Sequence, residues 1–233
     1  MDFPEWEPVY GAILADFGFE RAADERARDR LADLLPPSIA SFDFDRLDLG
    51  GSTVAVAGAG PSLADELDRI GTTDRVLAAS TAVDTLLDAG IGIDAMVTDL
   101  DKNPDTARAL AGRGVPVAVH AHGDNPELLA EVVPTLDAAN VLATTQAKPR
   151  GAVENVGGFT DGDRAAFLAD HCGAGGLRFA GWEFDDPSVG RTKRRKLVWA
   201  ERLLYWLERR RGERFALLDG RREGIDAGAL PVG

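Results

Sequence analysis

From residue 53 onward, short apolar runs that suit β-strands alternate with segments of helical character. The six runs occupy residues 53–57, 75–78, 95–97, 115–119, 141–143 and 177–180. Such alternation is the signature of βαβ units, which build a parallel sheet with helices on both faces. The sequence therefore predicts an α/β protein with a Rossmann-like, mostly parallel sheet flanked by helices.

Prolines and asparagines mark three predicted helix starts. Pro61, Pro104 and Pro126 each stand where a first helical residue would, a position that proline favours. Asn103 and Asn125 precede two of these prolines and are predicted to cap the helices with their side chains. These signals place a helix after the first, third and fourth predicted strands.

The pattern divides the chain into three parts. Residues 1–50 are predicted to form an N-terminal helical segment, and residues 51–219 a Rossmann-like catalytic domain. That domain ends with a long amphipathic helix at about 193–211 and a candidate edge strand at 215–218. The glycine-containing stretch 220–233 is predicted to be a flexible tail.

The charge of the chain excludes some partners and indicates others. The net charge is −13, which argues against a nucleic-acid partner, because neutralising phosphates needs a basic face. Lysine is scarce beside arginine, and aspartate is abundant in surface-like segments, which is typical of a protein adapted to high salt, as in a halophilic archaeon. An ordinary acidic protein is the alternative.

Cysteine count and hydropathy bound the location of the protein. Cys172 is the only cysteine, so an intrachain disulfide and a multi-cysteine metal site are excluded. No run approaches the ~18 apolar residues of a membrane span. We therefore expect a cytoplasmic protein without a membrane partner; the oligomeric state stays open, and a homo-oligomer is one candidate.

Two carboxylates follow the third predicted strand, at Asp99 and Asp101. Mg²⁺ prefers hard oxygen ligands and needs only one or two protein carboxylates when substrate phosphates and water complete its shell. Past the end of a strand the chain turns, so both side chains can reach one ion. The alternative is that Asp99 caps the turn and Asp101 is merely solvated.

A glycine turn follows the first predicted strand and opens a helix. Its residues Gly58, Gly60 and Ser62 are candidates for binding a phosphate through backbone N–H groups at the helix N-terminus. The third glycine of a dinucleotide fingerprint is missing, and no acidic residue ends the second strand, which disfavours NAD. A purely structural turn is the alternative.

Two of the three histidines lie in the loop after the fourth strand, at His120 and His122, beside Asp124. A zinc site is conceivable there, but a third clustered ligand is not evident. Contacts with phosphate or an acid–base role are favoured instead.

Two later segments complete the set of candidates. Gly158, Asp161 and Asp163 lie in a glycine-rich stretch that is either a ligand site or, with Thr160 and Asp163, a capping box. Lys193 and Lys196 lie three residues apart near a helix start and can reach a polyphosphate. A solvated charge run is the alternative for the lysines.

In this order, the motifs at 58–63, 97–101, 120–125 and 157–164 resemble the archaeal 6-hydroxymethyl-7,8-dihydropterin pyrophosphokinase family, the MptE-like proteins. The resemblance spans roughly residues 50–210 and includes a distant similarity to thiamine pyrophosphokinases. It implies Mg²⁺-dependent transfer of diphosphate from ATP to the hydroxymethyl group of a reduced pterin, with release of AMP, on a route to folate-type or methanopterin-type cofactors.

The resemblance also implies roles for single residues. Asp99 and Asp101 hold Mg²⁺, with Asp124 as a candidate third oxygen ligand, directly or through water. His122 donates to a phosphate or helps to deprotonate the hydroxymethyl group. The 58–62 turn and the loop around Gly158 cradle the nucleotide or the pterin, without indication of which takes which.

Other functions stay open at this point. A pyrophosphokinase for another heterocyclic alcohol, such as thiamine, fits the same motifs. The glycine turn also suits an S-adenosylmethionine-dependent methyltransferase, although the missing acidic residue after the second strand counts against it. A non-catalytic nucleotide-binding module would bind ATP but release no AMP.

The charge predicts a response to salt. Repulsion among acidic side chains weakens as the Debye length falls from ~10 Å at 0.1 M to ~3 Å at 1 M salt. We expect the melting temperature, followed by circular dichroism, to rise markedly between low and molar KCl. A melting temperature that stays flat or falls over that range would show that the acidic surface is not a salt adaptation.

Overall fold

The computed structural model describes residues 1–39 and 41–232, and within them the chain forms six strands and eight α-helices. The strands are β1 (Thr53–Ala57), β2 (Arg75–Ala79), β3 (Ala95–Thr98), β4 (Val117–Ala121), β5 (Val141–Thr145) and β6 (Gly176–Ala180). The helices are α1 (Phe3–Phe17), α2 (Arg21–Leu34), α3 (Leu67–Ile70), α4 (Ala82–Asp88), α5 (Pro104–Gly112), α6 (Pro126–Val132), α7 (Asp161–His171) and α8 (Arg191–Arg211). Short 3-10 helices occupy Phe44–Leu47, Pro61–Asp65, Val133–Thr135, Ala138–Asn140, Ala216–Leu218 and Arg222–Gly224.

The six strands form one parallel sheet in the order β5-β4-β3-β2-β1-β6, which confirms the predicted α/β fold. Strands β2 to β5 are added in turn on one side of β1, and only β6 pairs with the other side of β1. Ala57 at the end of β1 pairs with Ala78 and with Ala180, so the three carboxyl ends are level. A crevice for ligands is expected where the strand order reverses in this way.

Side chains alternate between the two faces of the sheet, as the period of a strand requires. In β1, Val54 and Val56 pack in a core with α1, α7 and α8, whereas Ala55 and Ala57 pack in a second core with α2 to α6. Both faces are covered by helices, which explains why the strands read as continuous apolar runs rather than as alternating ones.

The N-terminal segment packs directly on the sheet. Trp6 is fully buried, and its Nε1 donates to the carbonyl oxygen of Gln146, just after β5, at 2.9 Å. At the other end of the chain, Leu230 of the predicted flexible tail is buried against the core that contains α8. The predicted domain boundaries stay predictions, and residues 40 and 233 lie outside the described residues.

Two local predictions are corrected. Residues 215–218 were expected to form an edge strand, but Ala216–Leu218 is a 3-10 helix. Phe215 and Leu218 are both buried, and a spacing of three suits a helical turn rather than a strand. Pro61 likewise begins a 3-10 helix instead of an α-helix.

The two asparagines make no side-chain cap on their helices. Their amide groups instead connect neighbouring loops at the carboxyl edge of the sheet. Nδ2 of Asn125 donates to the carbonyl oxygens of Asp99 at 3.1 Å and of His120 at 2.8 Å. Nδ2 of Asn103 donates to the carbonyl oxygen of Ser80, in the loop after β2, at 3.3 Å and to Oδ2 of Asp84 on α4 at 2.7 Å. The asparagines therefore fix the positions of the loops that carry candidate site residues.

Throughout the described part of the chain, every helix is too short or too polar to cross a membrane.

Candidate active site

A cleft of about 650 Å³ opens at the carboxyl edge of the sheet. Its walls come from the loops after β1, β2, β3, β4 and β6, from the first turns of α7 and α8, and from the connection between α1 and α2. This is the edge at which open α/β folds bind ligands.

The cleft brings together most of the predicted site residues. Those that line it are Gly58, Gly60, Asp99, Asp101, His120, His122, Asp124, Asp161, Lys193 and Lys196. Those that do not line it are Ser62, Gly158 and Asp163. Residues from distant parts of the sequence therefore share one cavity, because they follow strand ends or begin the helices α7 and α8 at the same edge.

Gly58 and Gly60 allow the loops after β1 and β6 to meet. The N–H of Gly58 donates to the carbonyl oxygen of Ala180 at 2.9 Å, and the N–H of Gly60 donates to that of Gly181 at 2.8 Å. A Cβ atom at Gly58 would lie 2.6 Å from the carbonyl oxygen of Gly181, which leaves no room for a side chain. These two N–H groups thus join the loops, and both already donate to backbone carbonyl oxygens rather than being free to bind an anion.

Gly158 and Asp163 support the start of α7. Gly158 has a φ of +91°, and a Cβ atom there would collide with the backbone of Arg164. Asp163 is fully buried and accepts from the backbone N–H of Thr160 at 3.0 Å and from its hydroxyl at 2.7 Å. Thr160 and Asp163 form the predicted capping box, which aims Asp161 at the cleft.

Leu100 explains how Asp99 and Asp101 reach the same cleft. Leu100 is buried with a φ of +70°, a left-handed conformation that non-glycine residues rarely adopt. Because this residue turns the chain inward, the carboxylates on either side of it both line the cleft. The backbone N–H of Asp101 lies 3.3 Å from Oδ1 of Asp99, and Lys102 pairs with Asp101 at 3.0 Å.

The two carboxyl groups hold their protons unequally. Burial opposes the charge on Asp99, but hydrogen bonds from His122 and Asp101 outweigh it and hold the pKa of Asp99 below its ordinary value. The pKa of Asp101 is raised, by burial first and then by the neighbouring Asp99. A second negative charge on the pair is therefore unfavourable, and a cation bound between the two carboxylates would offset their repulsion.

Among residues 1–39 and 41–232, no three His, Cys, Asp or Glu side chains come together as a ready-made metal cage. Asp124 is exposed and is not grouped in this way with Asp99 and Asp101. Two carboxylates fit Mg²⁺, which takes the rest of its ligands from water and substrate phosphates. The same arrangement suits zinc poorly, since a catalytic zinc ion needs three protein ligands.

His120 and His122 lie in different surroundings. His122 is at the rim of the cleft, with Nε2 3.5 Å from Oδ2 of Asp99. His120 is only 2% exposed, and burial, together with the positive charge of Arg164, lowers its pKa well below the ordinary value. His120 is therefore neutral at physiological pH and offers no positive charge to a phosphate.

Lys193 and Lys196 reach the cleft from the first two turns of α8. Nζ of Lys196 lies 5.8 Å from the centre of the Phe159 ring, which is also part of the wall. Their neighbour Arg195 instead pairs with Asp16 on α1 at 3.1 Å. The predicted pair of lysines thus lines the same cleft as the acidic pair, while Arg195 of the basic run joins α8 to α1.

Arg164 lines the cleft but was not among the predicted site residues. It is 3% exposed, and it donates to Oδ1 of Asp161 and to the carbonyl oxygen of Phe159, both at 3.1 Å. Burial and the nearby charge of Asp99 raise the pKa of Asp161 to about 7, against the opposing effect of Arg164. The signal in the sequence that could have identified this pair is an arginine three residues after Asp161, near the start of the predicted helix.

Asp24 is a second residue that the sequence did not reveal. It is 4% exposed and accepts three hydrogen bonds: from the hydroxyl of Tyr10 at 2.7 Å, the N–H of Gly123 at 2.8 Å and Nε2 of Gln146 at 2.8 Å. Asp24 therefore joins α1, α2, the histidine loop and the end of β5. These partners lie up to 122 residues from Asp24 in the sequence, so no local pattern predicts the contacts.

Together, the sheet and the cleft define a Rossmann-like α/β protein with an acidic pair and two lysines at the carboxyl edge of its strands. Residues 31–188 match the family described as 6-hydroxymethylpterin diphosphokinase MptE-like. The chain belongs to this family, which confirms the resemblance seen in the four motifs.

Three relatives support the same assignment, and each carries the name 6-hydroxymethyl-7,8-dihydropterin pyrophosphokinase. The protein from Methanothermobacter thermautotrophicus is 39% identical, over 90% of this chain and 96% of its own length. The one from Pyrococcus furiosus is 37% identical, over 89% and 95%. The one from Methanocaldococcus jannaschii is 32% identical, over 89% and 96%. These names do not favour a methyltransferase or a thiamine enzyme.

Asp161 generates a prediction about stability and pH. The folded protein keeps the Asp161 proton up to about pH 7, whereas the unfolded chain loses it near pH 4. The free energy of unfolding therefore falls as pH rises through this window, by at most ~1.4 kcal/mol per pH unit. Asp161→Asn removes this contribution, so the variant should lose less stability than the wild type between pH 5 and pH 8.

Urea unfolding at both pH values, in molar KCl, measures the difference. Exposed Asp88 provides a matched control, and Asp88→Asn should keep the pH dependence of the wild type. An Asp161→Asn variant whose pH dependence equals that of the wild type would contradict the raised pKa.

Proposed function

We propose that this protein is a 6-hydroxymethyl-7,8-dihydropterin pyrophosphokinase that transfers diphosphate from ATP to the hydroxymethyl oxygen of the reduced pterin and releases AMP. One observation carries the proposal: an acidic pair and two lysines share one cleft in a chain whose relatives bear this name along nearly their full length. A cytoplasmic location and a high-salt organism belong to the same proposal, and the net charge of −13 supports the latter.

The reaction needs positioning more than covalent catalysis. A bond forms between the hydroxymethyl oxygen and the β-phosphorus, and the bond from that phosphorus to the oxygen of the leaving AMP breaks. The hydroxymethyl proton leaves with the solvent or a nearby base. A protein accelerates such a transfer by aligning the two substrates and by stabilising negative charge on the phosphates.

Asp99 and Asp101 are the residues that would hold Mg²⁺, with Asp124 acting through water at most, because it is exposed and ungrouped. When bound, Mg²⁺ neutralises charge on the phosphates of the nucleotide. The raised pKa of Asp101 supports this assignment, because a carboxyl group beside an ionised neighbour binds a cation in place of its proton.

Lys193 and Lys196 are assigned to the phosphates. Both lie on α8 and line the cleft that contains the acidic pair. A polyphosphate in this cleft would be attracted both by the two ammonium groups and by the Mg²⁺ that the acidic pair would hold. Their ammonium groups act as point charges, which suits the changing shape of a reacting phosphate chain.

His122 is assigned to hydrogen bonding rather than to proton abstraction. Its Nδ1 faces the N–H of Asp124 at 3.4 Å and therefore accepts. In the neutral ring the proton then resides on Nε2, which lies 3.5 Å from Oδ2 of Asp99. This single N–H orients Asp99 when it points to that carboxylate, or donates to a phosphate oxygen bound beside it.

The nucleotide product tests the proposal. Incubation with ATP, Mg²⁺ and the reduced hydroxymethylpterin should release AMP in proportion to pterin consumed, measured by anion-exchange chromatography. ADP together with a monophosphorylated pterin would overturn the pyrophosphokinase assignment. ATP binding without any nucleotide product would instead indicate a non-catalytic binding module.

The acidic pair provides a second test. Asp99→Asn and Asp101→Asn each remove one charge at nearly constant shape, so kcat should fall by ~10²-fold or more while the melting temperature changes little. Asp105→Asn is the matched control, because the side chain of Asp105 is 93% exposed and lies four residues beyond Asp101. Full activity of Asp101→Asn at ordinary Mg²⁺ concentration would exclude Asp101 as a ligand.

A further inference from the structure

The buried ring of His120 has one nitrogen bonded and one free. Nδ1 lies 3.1 Å from the hydroxyl oxygen of Thr144, its register partner on β5. That hydroxyl donates its own hydrogen to the carbonyl oxygen of Val119 at 3.1 Å, so its oxygen accepts from His120. Nδ1 therefore carries the proton of the neutral ring, and Nε2 is left as a hydrogen-bond acceptor.

This acceptor is unpaired. Among the described residues, Nε2 of His120 has no hydrogen-bond partner, although the residue is 98% buried and lines the cleft. Buried polar atoms are nearly always paired in folded proteins, because an unpaired one loses its bond to water without replacement. An N–H or O–H group of a ligand would supply the missing donor.

The acceptor character of Nε2 excludes phosphate as its partner. Phosphate oxygens are themselves acceptors, and the lowered pKa of His120 denies the ring a second proton. This differs from the phosphate contact predicted for His120 from the sequence. A flat nitrogen heterocycle with ring N–H or amino groups has the required donors.

The position of His120 distinguishes between the two heterocycles of the reaction. Its ring centre lies 6.2 Å from that of His122, and His122 contacts Asp99. His120 is therefore separated from the proposed metal and phosphate site by the ring of His122. The pterin ring is one carbon from the oxygen that attacks the β-phosphorus, whereas ribose and the α-phosphate separate adenine from it.

Resting on the proposed function, we propose that Nε2 of His120 accepts a hydrogen bond from an N–H group of the reduced pterin and makes His120 a specificity-determining residue for the acceptor substrate. Nε of Arg164 is a second buried polar atom without a partner in the described structure, and it also belongs to the wall of the cleft. It offers the donor that a ring carbonyl beside that N–H requires.

Two substitutions distinguish the roles of the two ring nitrogens of His120. In His120→Asn the amide takes roughly the place of Nδ1 and keeps the bond to Thr144, but nothing replaces Nε2. In His120→Gln the amide oxygen reaches the place of Nε2 and restores an acceptor. We expect His120→Asn to raise the KM for the pterin about tenfold or more and His120→Gln to stay close to the wild type, with the KM for ATP unchanged in both.

Steady-state kinetics with each substrate varied, together with melting temperatures, tests the proposed contact between His120 and the pterin. A raised KM for ATP with an unchanged KM for the pterin would place the nucleotide at His120 and overturn the inference. Unchanged constants in His120→Asn would also overturn it, as would equal losses in both variants with lowered melting temperatures, which indicate a structural role. Wild-type protein that forms no AMP with the pterin would refute the proposed function itself.

Discussion

The close approach of the loops after β1 and β6 is the constraint on which the candidate site depends. Gly58 and Gly60 contact Gly181 through backbone atoms, and no side chain fits between them. This contact closes the reversal point of a parallel sheet whose strands all end at one edge. The acidic pair, the histidine loop and the starts of α7 and α8 then surround a single cleft because each follows or faces a strand end.

The N-terminal helices complete that cleft rather than forming a separate unit. Asp24 on α2 holds the N–H of Gly123 in the histidine loop and Nε2 of Gln146 after β5. A Cβ atom at Gly123 would lie 2.8 Å from Cβ of Ala23, so α2 and the loop are in direct contact. The three hydrogen bonds compensate the burial of this side chain, and losing one donor would leave a buried acceptor unpaired. The geometry of His122 therefore depends on residues outside the Rossmann-like sheet.

The sheet, the long helix α8 and the clustering of strand-end residues were predictable because they follow from periodicity and from the shared edge of parallel strands. The acidic pair at Asp99 was predictable for the same reason. The bonding role of Asn125 was not, since a helix cap and a link between loops need the same residue type. The buried Asp24 was not either, because its partners are distant in sequence. The edge strand predicted at 215–218 was wrong because apolar residues three apart fit a helical turn as well as a short strand.

We propose that Asp99 and Asp101 hold the metal that binds the phosphates. Mn²⁺ in place of Mg²⁺, in crystals grown with a non-hydrolysable ATP analogue, can be located by its anomalous scattering. We predict one peak at about 2.1 Å from carboxylate oxygens of this pair and in contact with phosphate oxygens of the analogue. A peak bound elsewhere in the cleft, with both carboxylates free of metal, would contradict the account.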